Sequence, residues 1–359
     1  MSESVKGSTG NSRLRWRPVD DLIKKAQRIL CSTHVNPDGD GLGSQLAIYH
    51  FLKGMGKECQ ILNPSPLPED YQFLSEYSRF GTYDPSRDAD WVKHADLAII
   101  FDIGDYSRLE TLGRDLRVFG VPILSIDHHP HPVAGGTGSD GFAWAVHDDS
   151  ACATGYLVHE YIKYSARRMG RADGLSPEIA TGLYLAIMTD TGSFRFSNTS
   201  AEAHEMASEL IRHGVDPSRV YEQVYESGPL ERIRLMVAAL ETVRVDGEAG
   251  LAWFMVTREM MEKSGAKPEH AGGFTDTVRS IKGVEVAVMI REASSGECKI
   301  NFRSKGRIRI DDLARRLGGG GHPYAAGAVL SLPLEQAVKR VVSICREEIL
   351  SQLEKGKTK

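Results

Sequence analysis

Short apolar runs alternate with helical patterns along the first half of the chain. Strands are predicted at residues 28–33, 58–62, 96–101 and 121–126, and the last two are almost continuously apolar, as in strands buried on both faces of a parallel sheet. Between the first two strands, residues 41–56 carry apolar side chains at helical spacing and end at a glycine. Strands that alternate with helices predict βαβ units, and therefore an α/β fold with a doubly wound parallel sheet.

After about residue 150 the pattern changes to a series of amphipathic helices, and later to a second group of strands at 249–256, 284–293 and 297–304. We therefore predict a flexible lead-in at 1–18, a first domain at 19–228 and a linker helix at 229–243. A smaller α/β domain at 244–355 follows, and its terminal helix begins near Leu334.

Composition narrows the class of protein. The formal net charge of the 359 residues is -4, so long DNA or RNA duplexes are not the expected partners. The five cysteines are odd in number and form no CxxC pair, which argues against a disulfide framework and favours a reducing compartment. No apolar run is long enough for a membrane span, and the N-terminus lacks the apolar core of a signal peptide, so we expect a cytoplasmic protein.

Acidic and histidine residues occur at four points where a predicted strand or helix ends. The first three follow strands, whose carboxyl ends share one edge of a parallel sheet, and helix packing can bring the fourth to that edge. The residues are His34, Asp38 and Asp40; Asp102; Asp127, His128 and His129; and Asp190. An aspartate after a strand is usually a turn or cap residue, but four such points together predict a metal site.

Several carboxylates at one place repel each other unless cations neutralise them. Carboxylates and imidazoles without a thiolate suit Mn²⁺ or Mg²⁺ better than structural zinc. The ligands exceed what one tetrahedral ion takes, and two ions roughly 3.5–4 Å apart would use them all. Such a pair activates water and supports in-line attack at phosphorus.

A second cluster lies in the C-terminal half. Four glycines precede His322, and glycines let backbone N–H groups approach an anion and form a nest. The basic run at 299–310 contains Lys299, Arg303, Lys305, Arg307 and Arg309. Such a run can be a solvated strand edge. Beside a metal site that needs a phosphate substrate, substrate binding is the better interpretation.

These motifs resemble a known family. The segments HVNPDGDGLGS, FDIGD, SIDHHP and MTDTGSFRFSNT, followed by GGGGHPYAAGA, resemble the DHH phosphoesterases with a DHHA-type C-terminal domain, from about residue 22 to about residue 355. The compact two-domain layout is most similar to the bacterial nanoRNase/pAp phosphatase branch. That resemblance implies hydrolysis of short oligoribonucleotides to 5'-mononucleotides, and removal of phosphate from 3'-phosphoadenosine 5'-phosphate (pAp).

The resemblance also implies residue roles. One Mn²⁺ would be held by His34, Asp38 and Asp102, and the other by Asp40, Asp102, His128 and Asp190, so that Asp102 bridges the two ions. Asp127 would orient the pair or ligate weakly, and His129 would face the scissile phosphate. The far end of the substrate would contact Arg303, the glycines Gly319, Gly320 and Gly321, and His322, and Arg108 would reach a phosphate.

Alternatives within and outside this chemistry stay open. One is a phosphatase for pAp and other small nucleotides, or a phosphodiesterase for linear dinucleotides, without broad nuclease activity. An inorganic pyrophosphatase or exopolyphosphatase would need denser Lys and Arg over a small anion. A catalytically silent nucleotide-binding module would have lost a ligand, yet every expected position is filled. Short oligoribonucleotides and small nucleotides are the expected partners, and the family suggests a homodimer.

Overall fold

A computed structural model of the chain describes residues 12–129, 142, 144–293 and 296–357, without the side chains of 12–15, 322, 356 and 357. The chain divides into two compact units, Met1–Ser227 and Gly228–Lys359. Among the described residues, no helix is both long and apolar enough to cross a membrane.

The first unit contains a six-stranded sheet in which every neighbouring pair is parallel. The order β3-β2-β1-β4-β5-β6 reverses direction between β1 and β4, which is the switch point where such sheets bind ligands. The strands are β1 (Arg28–Ser32), β2 (Glu58–Asn63), β3 (Phe80–Thr82), β4 (Leu97–Phe101), β5 (Ile123–Asp127) and β6 (Trp144–His147).

Helices cover both faces of this sheet. They are α1 (Ser12–Lys25), α2 (Gly39–Gly54), α3 (Pro85–Lys93), α4 (Glu110–Phe119), α5 (Thr154–Arg168), α6 (Pro177–Asp190), α7 (Ala201–Arg212) and α8 (Pro217–Tyr225). Alternation along β1 shows how the two cores form: Ile29 and Cys31 pack with α2, α5 and α6, whereas Leu30 packs with α3 and α4 on the other face. The doubly wound parallel sheet is therefore confirmed.

Two glycines let α2 and α6 approach closely. A Cβ atom added at Gly43 would lie 2.2 Å from the carbonyl oxygen of Gly182, and one added at Gly182 would lie 2.6 Å from the carbonyl oxygen of Gly43. Both distances are too short for any side chain. The contact matters for the site because α2 carries Asp40 and α6 ends at Asp190.

The sequence-based account of the first unit needs two corrections. The flexible lead-in at 1–18 is wrong for residues 12–18, because α1 begins at Ser12 and the indole of Trp16 is fully buried against Tyr161. The strands β3 and β6 were not predicted, since each is short and lies at an edge of the sheet, where a continuous apolar run is not required.

The second unit contains a mixed sheet of order β11-β12-β10-β9-β8-β7, in which only β8 and β9 pair in parallel. Its strands are β7 (Arg244–Asp246), β8 (Leu251–Val256), β9 (Val286–Glu292), β10 (Cys298–Ser304), β11 (Gly320–His322) and β12 (Ala325–Leu330). Its helices are α9 (Leu230–Leu240), α10 (Arg258–Ser264), α11 (Phe274–Arg279), α12 (Asp311–Arg316) and α13 (Leu334–Lys357). This smaller α/β unit confirms the second part of the predicted fold class.

Different helices pack on the two faces of the second sheet. The residues Val288, Ile300 and Phe302 pack on one face against α12 and α13. On the other face Ala287 and Met289 pack with α9 and α11. The helix predicted as a linker, α9, contributes Leu235 and Ala239 to that second core.

Candidate metal centre

Adjacent strands of the first sheet bring the predicted residues to one edge. Since β1, β4 and β5 are neighbours and parallel, the residues that follow them meet beyond their carboxyl ends. The first turn of α2 and the last residue of α6 add two carboxylates to the same place. Three overlapping groups of three side chains result, and the ligand atoms within each group lie within 4.8 Å of one another. The first is His34, Asp38 and Asp102, the second is Asp40, His128 and Asp190, and the third, Asp102, His128 and His129, shares one residue with each of the other two.

The first group is arranged around the Nε2 atom of His34. This atom lies 3.7 Å from Oδ2 of Asp38 and 3.8 Å from Oδ2 of Asp102. These separations exceed the length of a hydrogen bond, but they suit side chains that share an ion. Asp38 is held in place because its carboxylate caps α2, accepting hydrogen bonds from the backbone N–H groups of Asp40 and Gly41 at 3.2 Å.

The second group is arranged around the Nε2 atom of His128. It lies 3.7 Å from a carboxylate oxygen of Asp40 and 3.7 Å from one of Asp190. On the other side of the ring, Nδ1 lies 3.2 Å from the carbonyl oxygen of Ala151. A proton on Nδ1 that is donated to this carbonyl leaves the lone pair of Nε2 directed at the carboxylates, as a metal ligand requires.

Asp102 lies between the two groups. Its Oδ2 atom faces His34, and its Oδ1 atom lies 3.6 Å from Nε2 of His128. Directly after β4, Asp102 has a φ of 54°, a left-handed conformation that non-glycine residues rarely adopt. Strain of this kind persists where the surrounding structure enforces it, commonly at functional sites. One carboxylate therefore offers one oxygen to each group.

The N-terminus of α5 orients two of these carboxylates. The backbone N–H groups of Thr154 and Gly155 donate to the two oxygens of Asp40, at 2.7 and 2.8 Å. The hydroxyl of Thr154 donates to Oδ1 of Asp102 at 3.1 Å. Thr154 is fully buried and contacts both groups. The sequence interpretation missed it, because a threonine at the start of a helix ordinarily indicates only a cap.

Asn198 orients the carboxylate of Asp190 in a similar way, through a hydrogen bond. Its amide nitrogen lies 3.1 Å from both a carboxylate oxygen and the carbonyl oxygen of Asp190, and 2.9 Å from the carbonyl oxygen of Cys152. It was also missed, although it lies in the MTDTGSFRFSNT segment. Its contact with Asp190 depends on a turn in which Ser193 and Phe194 both have positive φ, and that turn is visible only in the structure.

Crowded negative charge dominates the electrostatics of the site. Burial, followed by the charges of Asp102 and Asp190, raises the pKa of Asp40 well above its ordinary value. Burial also raises the pKa of Asp190 to about 7, with Asp102 adding to the effect and His128 opposing it. Such carboxylates are costly to ionise unless cations neutralise them, so this cluster fits a metal site.

The donor set distinguishes between classes of metal. Both groups combine carboxylate oxygens with one imidazole nitrogen, and no cysteine belongs to either group of described residues. Cys152 lies nearby, but burial, with Asp40 and Asp190 adding, raises the pKa of its thiol to about 12. Its sulfur belongs to none of the groups of candidate ligand atoms among the described residues. The set therefore favours hard or borderline ions such as Mg²⁺ and Mn²⁺ over structural zinc.

Asp127 orients His129. One oxygen of Asp127 lies 3.0 Å from the backbone nitrogen of His129 and 2.7 Å from its Nδ1 atom, and the other accepts from the backbone N–H of Gly104 at 2.9 Å. Burial opposes a charge on His129, but the hydrogen bond to Asp127 and the field of Asp102 prevail and raise its pKa to about 9. A protonated imidazole at this edge is a hydrogen-bond donor and an acid.

The predicted phosphate contact Arg108 lies at the same edge. Its Nη2 atom is 2.7 Å from Nδ1 of His34, on the opposite side of the ring from the carboxylates. The same ring nitrogen is 2.8 Å from the carbonyl oxygen of Val35. The guanidinium is therefore next to the first group, where it can reach a bound anion.

The remaining predicted residues lie in the second unit. Arg303 is half-buried on β10, and its Nη1 atom lies 3.1 Å from the carbonyl oxygen of Phe302. Gly320 and Gly321 belong to the edge strand β11, which pairs with β12 in a tight hairpin, and Gly319 packs so closely that a Cβ would lie 2.0 Å from the carbonyl oxygen of Gly327. Close backbone packing accounts for Gly319 and Gly321, whereas a Cβ at Gly320 would meet no atom within 4 Å. The side chain of His322 lies outside the described part of the chain.

Comparisons with known proteins identify the family of this chain. The profile of the DHH family, N-terminal domain, matches residues 28–187, and the profile of the DHHA1 domain matches residues 252–350. The bifunctional oligoribonuclease and PAP phosphatase NrnA of Thermus thermophilus is 32% identical over 93% of this chain and 94% of its own length. The protein of the same name from Bacillus subtilis is 29% identical over 84% of this chain and 88% of its own.

A solved structure shows the same fold. An exopolyphosphatase-related protein from Bacteroides fragilis is 26% identical and superposes with a TM-score of 0.87, covering 95% of this chain and 98% of the other.

Proposed function

The chain belongs to the DHH family of phosphoesterases with a C-terminal DHHA1 domain, and on that basis we propose that it hydrolyses short oligoribonucleotides to 5'-mononucleotides and removes phosphate from pAp. The observation that carries the proposal is the position of Asp102, whose two carboxylate oxygens face two separate groups of candidate ligands. The names of the relatives from Thermus thermophilus and Bacillus subtilis, which pair an oligoribonuclease with a PAP phosphatase, supply the substrate classes.

The proposed cofactor is a pair of Mn²⁺ ions, with Mg²⁺ as the alternative. One ion would be held by His34, Asp38 and Asp102, and the other by Asp40, Asp102, His128 and Asp190. Bound at such a site, metal ions lower the pKa of water and neutralise charge on the phosphate.

Side chains of the first unit do the remaining chemistry at the phosphate. We assign His129 as the donor to the leaving oxygen, because its pKa of about 9 keeps it protonated at neutral pH. Asp127 holds the imidazole of His129 in the required orientation through its Nδ1 atom. Arg108 binds a phosphate oxygen.

Side chains of the second unit bind the rest of the substrate. Arg303, the glycines Gly319, Gly320 and Gly321, and His322 are the proposed contacts. Burial lowers the pKa of Arg303, and among the described residues its guanidinium donates only to a neighbouring carbonyl. The remaining donors are therefore available to an anion, which supports this assignment.

A narrower activity is the second candidate. The Thermus thermophilus relative is named for both activities, so a chain specialised for pAp or linear dinucleotides would use the same metal centre. The exopolyphosphatase-related name of the Bacteroides fragilis structure adds inorganic polyphosphate to the substrates that a test must contain. A homodimer and a cytoplasmic location stay predictions.

The proposal is tested by metal-dependent turnover. Protein freed of metal with EDTA should not hydrolyse an RNA dinucleotide or pAp, and Mn²⁺ should restore both activities. The Asp102→Asn variant should stay inactive at any Mn²⁺ concentration, because its amide nitrogen cannot bind a cation and the bridge between the two ions is lost, and it should keep the circular dichroism of the wild type. Full activity of Asp102→Asn would refute the bridging role, and activity in EDTA would refute metal dependence.

A further inference from the structure

The second sheet has an open strip on the face that carries Arg303. Side chains alternate along β10, so Lys299, Asn301 and Arg303 lie on one face while Cys298, Ile300 and Phe302 enter the core on the other. The neighbouring strand β12 presents only small or short side chains opposite them: Ala325, Gly327 and Val329. Val329 is 50% exposed, so this part of the face is open to solvent.

Two cations face each other at the end of this strip. Lys299 on β10 is paired in register with Arg291 on β9. Like charges in directly opposite positions destabilise a sheet. Neither side chain makes a hydrogen bond or an ion pair with another described residue, and neither does that of Arg258, the first residue of α10. Arg291 is half-buried, and burial lowers its pKa, with Glu269 opposing.

These three cations line one groove. Its volume is about 590 Å³, and Met261, Ala266 and Pro268 form an apolar part of its wall. Two of the three glutamates in the wall have other partners: Glu292 accepts a hydrogen bond from the backbone N–H of Arg258, and Glu297 accepts one from the hydroxyl of Ser331. The third, Glu262, is exposed to solvent. A groove of this size, with unpaired cations beside an apolar wall, suits phosphates and unstacked bases.

We propose that the strip from Arg303 through Asn301 to Lys299, with the groove at Arg291, is a subsite for the distal nucleotides of the RNA substrate. It would bind the phosphates that follow the nucleotide held at Arg303. The inference rests on the proposed function and extends it from substrate class to substrate length. Lys299 and Arg303 are four residues apart on one strand, about 14 Å at the rise of an extended chain. A dinucleotide carries no phosphate beyond the nucleotide held at Arg303, whereas a five-nucleotide RNA carries several, so only the longer RNA can reach Lys299 and Arg291.

The test compares two substrates and two double variants of the full chain. Lys299→Gln combined with Arg291→Gln removes the facing cations and keeps the side-chain stems. The matched control, Lys339→Gln with Arg340→Gln, removes two exposed cations from α13, which packs on the opposite face. Both variants should fold, since the first removes a repulsion and the second changes only solvated side chains, and thermal unfolding checks this.

For the Lys299→Gln/Arg291→Gln variant we expect KM for the five-nucleotide RNA to rise roughly 3- to 30-fold, because two charge contacts with phosphates are lost. KM for the dinucleotide should stay within about twofold of the control variant. The slope of log KM against log salt for the longer RNA should fall by about 1.4, the value for two phosphate contacts on a single strand. An equal rise for both substrates, or no change for either, would overturn the inference.

Binding separates this inference from the proposed function. Fluorescence anisotropy of a labelled five-nucleotide RNA in EDTA measures affinity without turnover. Weaker binding by the Lys299→Gln/Arg291→Gln variant than by the control supports the subsite even if the wild type hydrolyses neither RNA. Absence of hydrolysis by the wild type would refute the proposed function but not the subsite. Equal binding by the two variants overturns the subsite even if hydrolysis is normal.

Discussion

The hydroxyl of Thr154 provides a sharp test of how the metal centre is oriented. Substitution by valine preserves the shape and β-branching of the side chain but removes the donor that lies 3.1 Å from Oδ1 of Asp102. The backbone N–H that donates to Asp40 at 2.7 Å is unaffected. Thr154→Val therefore changes one hydrogen bond to one carboxylate at a fully buried position.

The expected magnitude follows from the kind of bond. A hydrogen bond to a charged group contributes about 1.5–3 kcal/mol, and loss of a partner that orients a metal ligand typically lowers metal affinity by about 10- to 100-fold. The two ranges agree, since a tenfold change in an equilibrium constant corresponds to about 1.4 kcal/mol. We expect Thr154→Val to weaken Mn²⁺ binding by that factor, and Thr154→Ser, which keeps the hydroxyl, to stay within about threefold of the wild type.

Isothermal titration of EDTA-treated protein with Mn²⁺ measures this affinity directly, with the rise in melting temperature on adding Mn²⁺ as a second readout. Thr154→Ser controls for the loss of packing at this position. Wild-type affinity in Thr154→Val would show that the hydroxyl does not orient Asp102. Equal losses in the valine and serine variants would assign the effect to packing instead.

Three further predictions follow from other parts of the structure. Gly43→Ala should lower stability by about 1–3 kcal/mol, measured by urea unfolding, because its Cβ would lie 2.2 Å from the carbonyl oxygen of Gly182; an unchanged midpoint would mean that α2 and α6 can separate freely. Asp127→Asn should lower kcat about 10- to 100-fold while leaving Mn²⁺ affinity nearly unchanged, since Asp127 orients His129; a large loss of Mn²⁺ binding would make Asp127 a ligand. Burial lowers the pKa of His159 to about 4, so on acidification the imidazole of the unfolded chain is protonated before that of the folded chain. The stability of the wild type should therefore decline by up to about 3 kcal/mol as pH falls from about 6.5 to 4. His159→Phe should flatten this decline, and parallel pH profiles of the two proteins would contradict the prediction.

The sequence places three of the four groups of candidate ligands at one edge of the sheet, because each of the three follows an apolar run. Apolar runs fix where β1, β4 and β5 end, and a parallel sheet places those ends together. His34 and Asp102 could be selected without tertiary information, because each is recognised by its residue type and by its position directly after a predicted strand. The position of Asp190 could not be predicted in the same way. Its approach to the other candidate ligands depends on the contact between Gly43 and Gly182, and a single sequence does not reveal that contact.

What the sequence did not reveal has a common physical cause. Thr154 and Asn198 act through hydrogen bonds to residues 52 and 8 positions away, respectively, and neither contact leaves a pattern in the local sequence. The burial of Trp16 was missed because the surrounding charged residues resemble a solvated terminus. The strand β11 was also missed, because the glycine run that forms it has no side chains from which a strand could be predicted.

The central claim is that this metal centre hydrolyses short RNA. The most direct measurement is product analysis of purified protein with Mn²⁺ on an RNA dinucleotide, a five-nucleotide RNA, an RNA of about 24 nucleotides, pAp, pyrophosphate and polyphosphate. The account predicts mononucleotides from the two short RNAs, adenosine monophosphate from pAp and much slower turnover of the long RNA. Turnover of pyrophosphate or polyphosphate alone, or of no substrate although Mn²⁺ is bound, would contradict it.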